Sequence, residues 1–179
     1  MAKIWLTSDW HLFHDKPFIY EPRGFSSMGE MNAEILRRHN ERVSDEDEVY
    51  VLGDILLGGP ITEERLNYLR QFKGRLYLAY GNHDTPAKLK AYQESGIFKD
   101  IQMGYRLIFK KNEFWITHHP TVLVNSGNAK PIYNIHGHTH EDHCFNEYSN
   151  CYNVNPEAHD CYPVELETIY WELHNKPTC

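Results

Sequence analysis

The chain has 179 residues, 41% hydrophobic and 24% charged, a length suited to one domain that buries its core without disulfide staples. That composition excludes disorder, collagen and a pure coiled coil. Eighteen basic against 25 acidic side chains, a formal charge of −7, exclude a broad, sequence-blind grip on nucleic acid. The unusual residue is histidine: twelve occur, six of them between His118 and His143.

The N-terminal residues lack a long apolar run, and no stretch approaches the ~20 apolar residues that span a bilayer. Cys144, Cys151, Cys161 and Cys179 form no Cys-x-x-Cys pair, so they are expected as free thiols in a reducing, cytoplasmic setting. Lys3–Ser8 reads as a strand ending in Asp9-Trp10-His11. Met31–Val43 reads as a helix with Ile35, Leu36, His39 and Val43 on one stripe. The acidic run Asp45–Glu48 reads as a solvated turn before a strand over Glu48–Leu52, which ends in Gly53-Asp54. Thr62 is placed to cap a helix carrying Leu66, Leu69 and Phe72, with Ile61 and Leu66 as a hydrophobic staple. A strand over Arg75–Tyr80 ends in Gly81-Asn82-His83-Asp84, and Thr85-Pro86 opens a third helix that Gly96 closes.

Strand, helix, strand, helix predicts a parallel sheet with crossovers. Beyond residue 100 the texture changes. Tyr105–Phe109, Phe114–Thr117, Ile132–Ile135, Cys151–Val154 and Val164–Trp171 all read as strands, with a hairpin at Lys111-Asn112-Glu113. The expectation is one α/β domain, residues 1–179, with a strand-rich second half.

Ligands in open α/β sheets gather beyond the carboxyl ends of strands. Asp9-x-His11, Gly53-Asp54, Gly81-Asn82-His83-Asp84, Thr117-His118-His119-Pro120 and Gly137-His138-Thr139-His140 all stand at such ends. Residues two apart on an extended segment point the same way, so Asp9 and His11 are expected to converge on one ion. His138 and His140 can do the same, or take one ion each. Carboxylates with imidazoles suit manganese, iron, nickel, cobalt or zinc better than calcium or magnesium. A carboxylate such as Asp54 has two oxygens with which to bridge two cations. A pair of ions about 3.5–4 Å apart can hold a hydroxide and clamp an in-line phosphoryl displacement.

In order and spacing, these five blocks resemble those of the calcineurin-like metallophosphoesterases. They span residues 9 to 140, and the short, cap-less bacterial and phage members are the most similar. The resemblance implies a two-sheet sandwich flanked by helices, with two divalent metal ions, manganese foremost, at the strand ends. It implies that Asp9, His11, Asp54 and His140 hold the first ion, and Asp54, Asn82, His118 and His138 the second. His83 would protonate the leaving oxygen and Asp84 would orient His83. His118 is preferred over His119 because it follows the small hydroxyl of Thr117, and the neighbouring His119 keeps the choice open. The activity implied is hydrolysis of a small phosphate ester, a phosphodiesterase first. Phosphomonoesterase, small nuclease and non-catalytic protein-binding scaffold are the alternatives.

Other residues read more plainly. His14 and Arg23 lie in a loop long enough to reach substrate phosphate. Trp10, Phe13, Tyr20, His39 and His136 are expected to pack or support structure, and His159 and His174 to be ordinary surface histidines. Cys144, near several histidines in sequence, is a remote candidate metal ligand.

Overall fold

Alternation along short strands decides the architecture. In β1 (Ile4–Thr7), Trp5 enters one apolar cluster and Leu6 another; in β2 (Glu48–Val51), Val49 and Val51 enter the first and Tyr50 the second. A strand buried on both faces requires a layer on each side. Helices supply one layer and a second sheet supplies the other. This computed structural model describes residues 2–123, 130–145 and 150–175.

The first sheet adds β3 (Arg75–Ala79), β4 (Phe98–Gln102) and the short β9 (Val164–Glu165), in the order β4-β3-β2-β1-β9. Strands β1 to β4 run parallel and β9 pairs antiparallel with β1. The second sheet holds β5 (Gly104–Phe109), β6 (Asn112–Thr117), β7 (Ile132–His136) and β8 (Cys151–Asn153), in that order. Leu6, Tyr50 and Leu52 from the first sheet meet Phe114, Ile116, Ile135 and Tyr152 from the second. On the other face of the first sheet, Trp5, Val49, Val51, Leu76 and Leu78 pack with Ile35, Leu69 and Tyr92 of the flanking helices.

The helices are α1 (Pro17–Tyr20), α2 (Met28–Arg42), α3 (Glu63–Leu69), α4 (Pro86–Ser95) and α5 (Leu166–His174). Ser27 caps α2 by accepting from the Glu30 amide, which starts this helix three residues earlier than its apolar stripe indicated. Thr62 accepts from the Arg65 amide as expected, and Gly96 ends α4 in the left-handed region. Among the described residues, no helix is long and apolar enough to cross a membrane.

Several expectations need correction. Val164–Trp171 is not a strand: only Val164–Glu165 pairs, and α5 follows. Leu166, Ile169 and Leu173 are buried at helical spacing, so period 3.6 overrides the opening alternation. The hairpin turns one residue earlier than expected. Phe109 pairs with Asn112, and Lys110 and Lys111 both take positive φ (47° and 63°), a two-residue turn. Strand β4 and helix α1 were not anticipated. Nor is Asp47 solvated; it is buried and accepts from the amides of Lys3 and Ser44 and from the Trp5 indole, tying β1 to the turn before β2.

Candidate metal centre

Beyond their last ladder residues, β1 and β2 stay side by side. The Asp9 amide donates to Gly53 O (3.0 Å), His11 to Asp54 O (3.1 Å) and Leu12 to Ile55 O (2.9 Å). These segments are not extended, however. Asp9, His11 and Asp54 have φ of 47°, 49° and 55°, and His138 and His140 have 71° and 52°. Convergence therefore comes from a left-handed backbone at alternate residues, not from strand alternation as the sequence suggested. Asp and His tolerate this region better than most residues, and such conformations cluster where surrounding structure over-determines them. Two glycines allow the blocks to touch. A Cβ on Gly81 would fall 2.3 Å from Asp54 Oδ1, and one on Gly137 2.3 Å from Asp9 Oδ2.

The turns bring three overlapping donor groups together: Asp9, His11 and His140; Asp9, Asp54 and His118; and His118, His119 and His138. Asp54 Oδ2 lies 3.8 Å from His11 Nε2 and 3.5 Å from His118 Nε2, while Asp9 Oδ1 is 3.7 Å from both His11 Nε2 and His140 Nε2. All these distances are too long for hydrogen bonds. Asp9 Oδ1 and both ring nitrogens of His11 are buried with no hydrogen-bond partner among the described residues. His118 Nδ1 donates to Leu52 O at 2.7 Å, which leaves Nε2 as an acceptor. That Nε2 nevertheless faces Asn82 Oδ1, another acceptor, at 2.9 Å and His138 Nδ1 at 3.2 Å. Clustered acceptors and orphaned buried atoms fit divalent cations.

Buried carboxylates need compensation. Burial would raise the Asp9 carboxyl, but the imidazoles of His11, His118 and His140 outweigh it and hold the group well below the usual range. His11 is lowered by burial, against the pull of Asp9. Sequence reasoning missed Glu157. It sits in a 3₁₀ turn (Pro156–Ala158), and its Oε1 lies 2.9 Å from His140 Nδ1 and 2.8 Å from Arg23 Nε. Burial opposes its charge, yet His140 and Arg23 bring its pKa down to about 2. In return Glu157 raises His140 against desolvation. A carboxylate behind an imidazole fixes the ring and turns the other nitrogen toward the ion. Asn155 was also missed; its amide is 3.4 Å from Asp9 Oδ2.

Arg23 does not do what the sequence suggested. Its side chain is fully buried, bound to Glu157, to Asp9 O (2.9 Å) and to Trp10 O (3.2 Å), so it braces the first block and does not meet substrate. Asp84 is likewise reassigned. Its carboxylate accepts from the amides of Asp54 (2.8 Å) and Gly81 (2.9 Å), so it fixes the backbone of these two turns and does not hold the His83 ring. Burial raises its pKa, with those amides opposing. His83 is exposed; its amide donates to Asp54 Oδ1 at 2.9 Å and its Nε2 is 4.0 Å from Asp54 Oδ2. His14 is half-buried at the rim, its ring 5.7 Å from that of His11, and burial with the neighbouring His11 and His83 lowers its pKa.

Both candidates at the fourth block approach the centre. His118 faces Asp54 and Asn82, while His119 is exposed with its ring 4.2 Å from that of His138. Buried Asn134 holds this turn, donating to Trp115 O and Thr117 Oγ1 and accepting from the Thr121 amide. His39 is buried with Nε2 at Lys73 O (2.9 Å), and Trp10 stacks on Phe72. His159 is not an ordinary surface histidine: it lies 2.8 Å from Asn153 O and stacks on Tyr152. Cys144 joins none of the donor groups; its Sγ lies 3.7 Å from His159 Nε2. Cys179 lies outside the described residues.

Comparison with known proteins gives the family and the fold. The family model for calcineurin-like phosphoesterases matches residues 2–175. MJ1445, an uncharacterized protein of Methanocaldococcus jannaschii, is 31% identical over 175 residues, covering 94% of this chain and 90% of that protein. Among solved structures, AQ665 of Aquifex aeolicus, a protein of unknown function, aligns with a TM-score of 0.72 at 22% identity, over 96% of this chain and 99% of that one. A novel archaeal phosphodiesterase aligns with a TM-score of 0.51 at 21% identity, over 87% and 83%. At these identities the structural likenesses establish the fold, two sheets flanked by helices.

Proposed function

The chain belongs to the calcineurin-like phosphoesterase family, and from that premise we propose that it hydrolyses phosphate diesters at a two-ion centre. One observation supports this reading: a single carboxylate oxygen, Asp54 Oδ2, is 3.8 Å from His11 Nε2 and 3.5 Å from His118 Nε2, near enough to both for one carboxylate to serve two donor sets. Asp9, His11, Asp54 and His140 make the first set; Asp54, Asn82, His118 and His138 make the second. Two divalent ions, when bound there, supply a nucleophile at neutral pH and neutralise charge on the phosphoryl oxygens. The mixed oxygen and nitrogen donors suit manganese, iron, zinc, nickel or cobalt, and the family resemblance puts manganese first.

The chain's own groups then position and protonate. Asn82 is exposed at the rim with its Oδ1 at His118, and its NH2 would be the group to meet the phosphoryl oxygens. His83 is held at its backbone by Asp54 Oδ1 and keeps its ring in solvent, placed to give a proton to the leaving oxygen. Asn82, His83 and His119 form an exposed rim that accommodates a second substituent on phosphorus. The fold neighbour described as a phosphodiesterase supports the same preference.

The test is hydrolysis of p-nitrophenyl diesters and of the monoester by manganese-loaded protein. The diester is expected to turn over faster, and His83→Ala to lower kcat by ~10²–10⁴-fold with metal content unchanged. Faster monoester turnover would overturn the diester assignment. Inactivity on both esters after metal loading would overturn the enzymatic one, and loss of metal in His83→Ala would make His83 a ligand.

A further inference from the structure

A groove of about 300 Å³ leads away from the centre. It shares Asn82 and His118 with the centre, and its other lining residues include Tyr80 after β3, Met103 between β4 and β5, and His119 and Thr121 after β6. No Asp, Glu, Lys or Arg lines it, and Met103 is 71% exposed along its wall. His83 is not one of the lining residues; its ring is turned toward His11, with centroids 6.1 Å apart.

We propose that this groove is a specificity subsite for an uncharged aromatic substituent, the one that stays on phosphorus. The inference rests on the phosphodiesterase reading above. Water's oxygen bonds to phosphorus, the bond to the leaving oxygen on the His83 side breaks, and that oxygen takes the proton. The retained ester bond remains intact, so the product in the groove is an aromatic monophosphate. Two features select the occupant. A charged substituent lying against Tyr80 and Met103 would lose hydration with no carboxylate, ammonium or guanidinium on the walls to replace it. A thioether and a phenol ring instead offer polarizable, flat contact to an aromatic face.

The experiment compares phenyl p-nitrophenyl phosphate with methyl p-nitrophenyl phosphate on the manganese-loaded full chain, since both release the same chromophore. Wild type should favour the phenyl ester in kcat/KM. Met103→Ala should lower kcat/KM for the phenyl ester about fivefold, chiefly through KM, and leave the methyl ester within about twofold. Met103→Leu should restore the preference. Phe18→Ala removes a comparably exposed apolar side chain beside His14 and should leave the phenyl-to-methyl ratio unchanged. Equal losses on both esters, no wild-type preference, or the same ratio change from Phe18→Ala would overturn the subsite. Loss of activity on every phosphate ester would overturn the phosphodiesterase reading on which it stands, a result distinguishable from a lost preference.

Discussion

The two sheets reach the same centre with opposite chemistry. The first sheet's rim presents Asp9 and Asp54, 0% and 2% exposed, with His11 between them. Backbone pairing across Gly53 and the Asp84 carboxylate fix these turns. The second sheet's rim presents imidazoles: His118 is buried, His138 and His140 are half-buried, and His119 is exposed. A carbonyl orients His118 and a carboxylate orients His140. Anions are the costly groups to bury, so they lie where histidines, backbone amides and the Arg23 guanidinium surround their turns. Neutral donors tolerate the open side, which is where substrate must enter.

That contrast can be broken one residue at a time. Asp54→Ala should have the largest effect, removing both ions and dropping turnover to background, whereas His138→Ala should release one ion; metal analysis of the two proteins separates the rims. The next effect belongs to His39, an imidazole buried behind the first sheet with no ion to serve. Burial lowers its pKa to about 4 from an ordinary 6.5, against the Lys73 carbonyl. Its contribution to stability is therefore full above pH 6.5 and is lost as pH falls toward 4, by about 3 kcal/mol. Urea unfolding between pH 7 and 4 should show a shallower decline for His39→Gln than for wild type. Glu157→Gln should weaken the ion beside His140 by ~10–100-fold while sparing the other, read by competition with a chelating dye. The smallest effect lies away from both rims: Thr62→Ala should cost about 1 kcal/mol in thermal unfolding and leave metal affinity unchanged.

Much of this contrast was legible before the structure. Short apolar runs ending in Asp9, Asp54, Asn82, His118 and His138 marked the strand ends, because a doubly buried strand must stop where ionisable residues begin. The supports were not legible. Arg23 and Glu157 are 134 positions apart, and only folding sets one against the other behind His140. Asp84 looked like a partner for His83 because it is the next residue. The turn that bonds its amide to Gly81 O instead folds its carboxylate back onto two backbone amides. The left-handed residues were hidden for a related reason: Asp-x-His reads as alternation, and tertiary contact, not local preference, imposes positive φ on it. In α5 the opening Val-Glu-Leu-Glu mimics a strand until Ile169 and Leu173 complete a helical face.

Electron paramagnetic resonance of the wild-type protein titrated with manganese tests the shared Asp54 bridge most directly. Two ions held by one carboxylate should give an exchange-coupled signal that saturates at two manganese per chain. A single uncoupled ion at saturation, or no tightly bound manganese, would contradict a bridged pair.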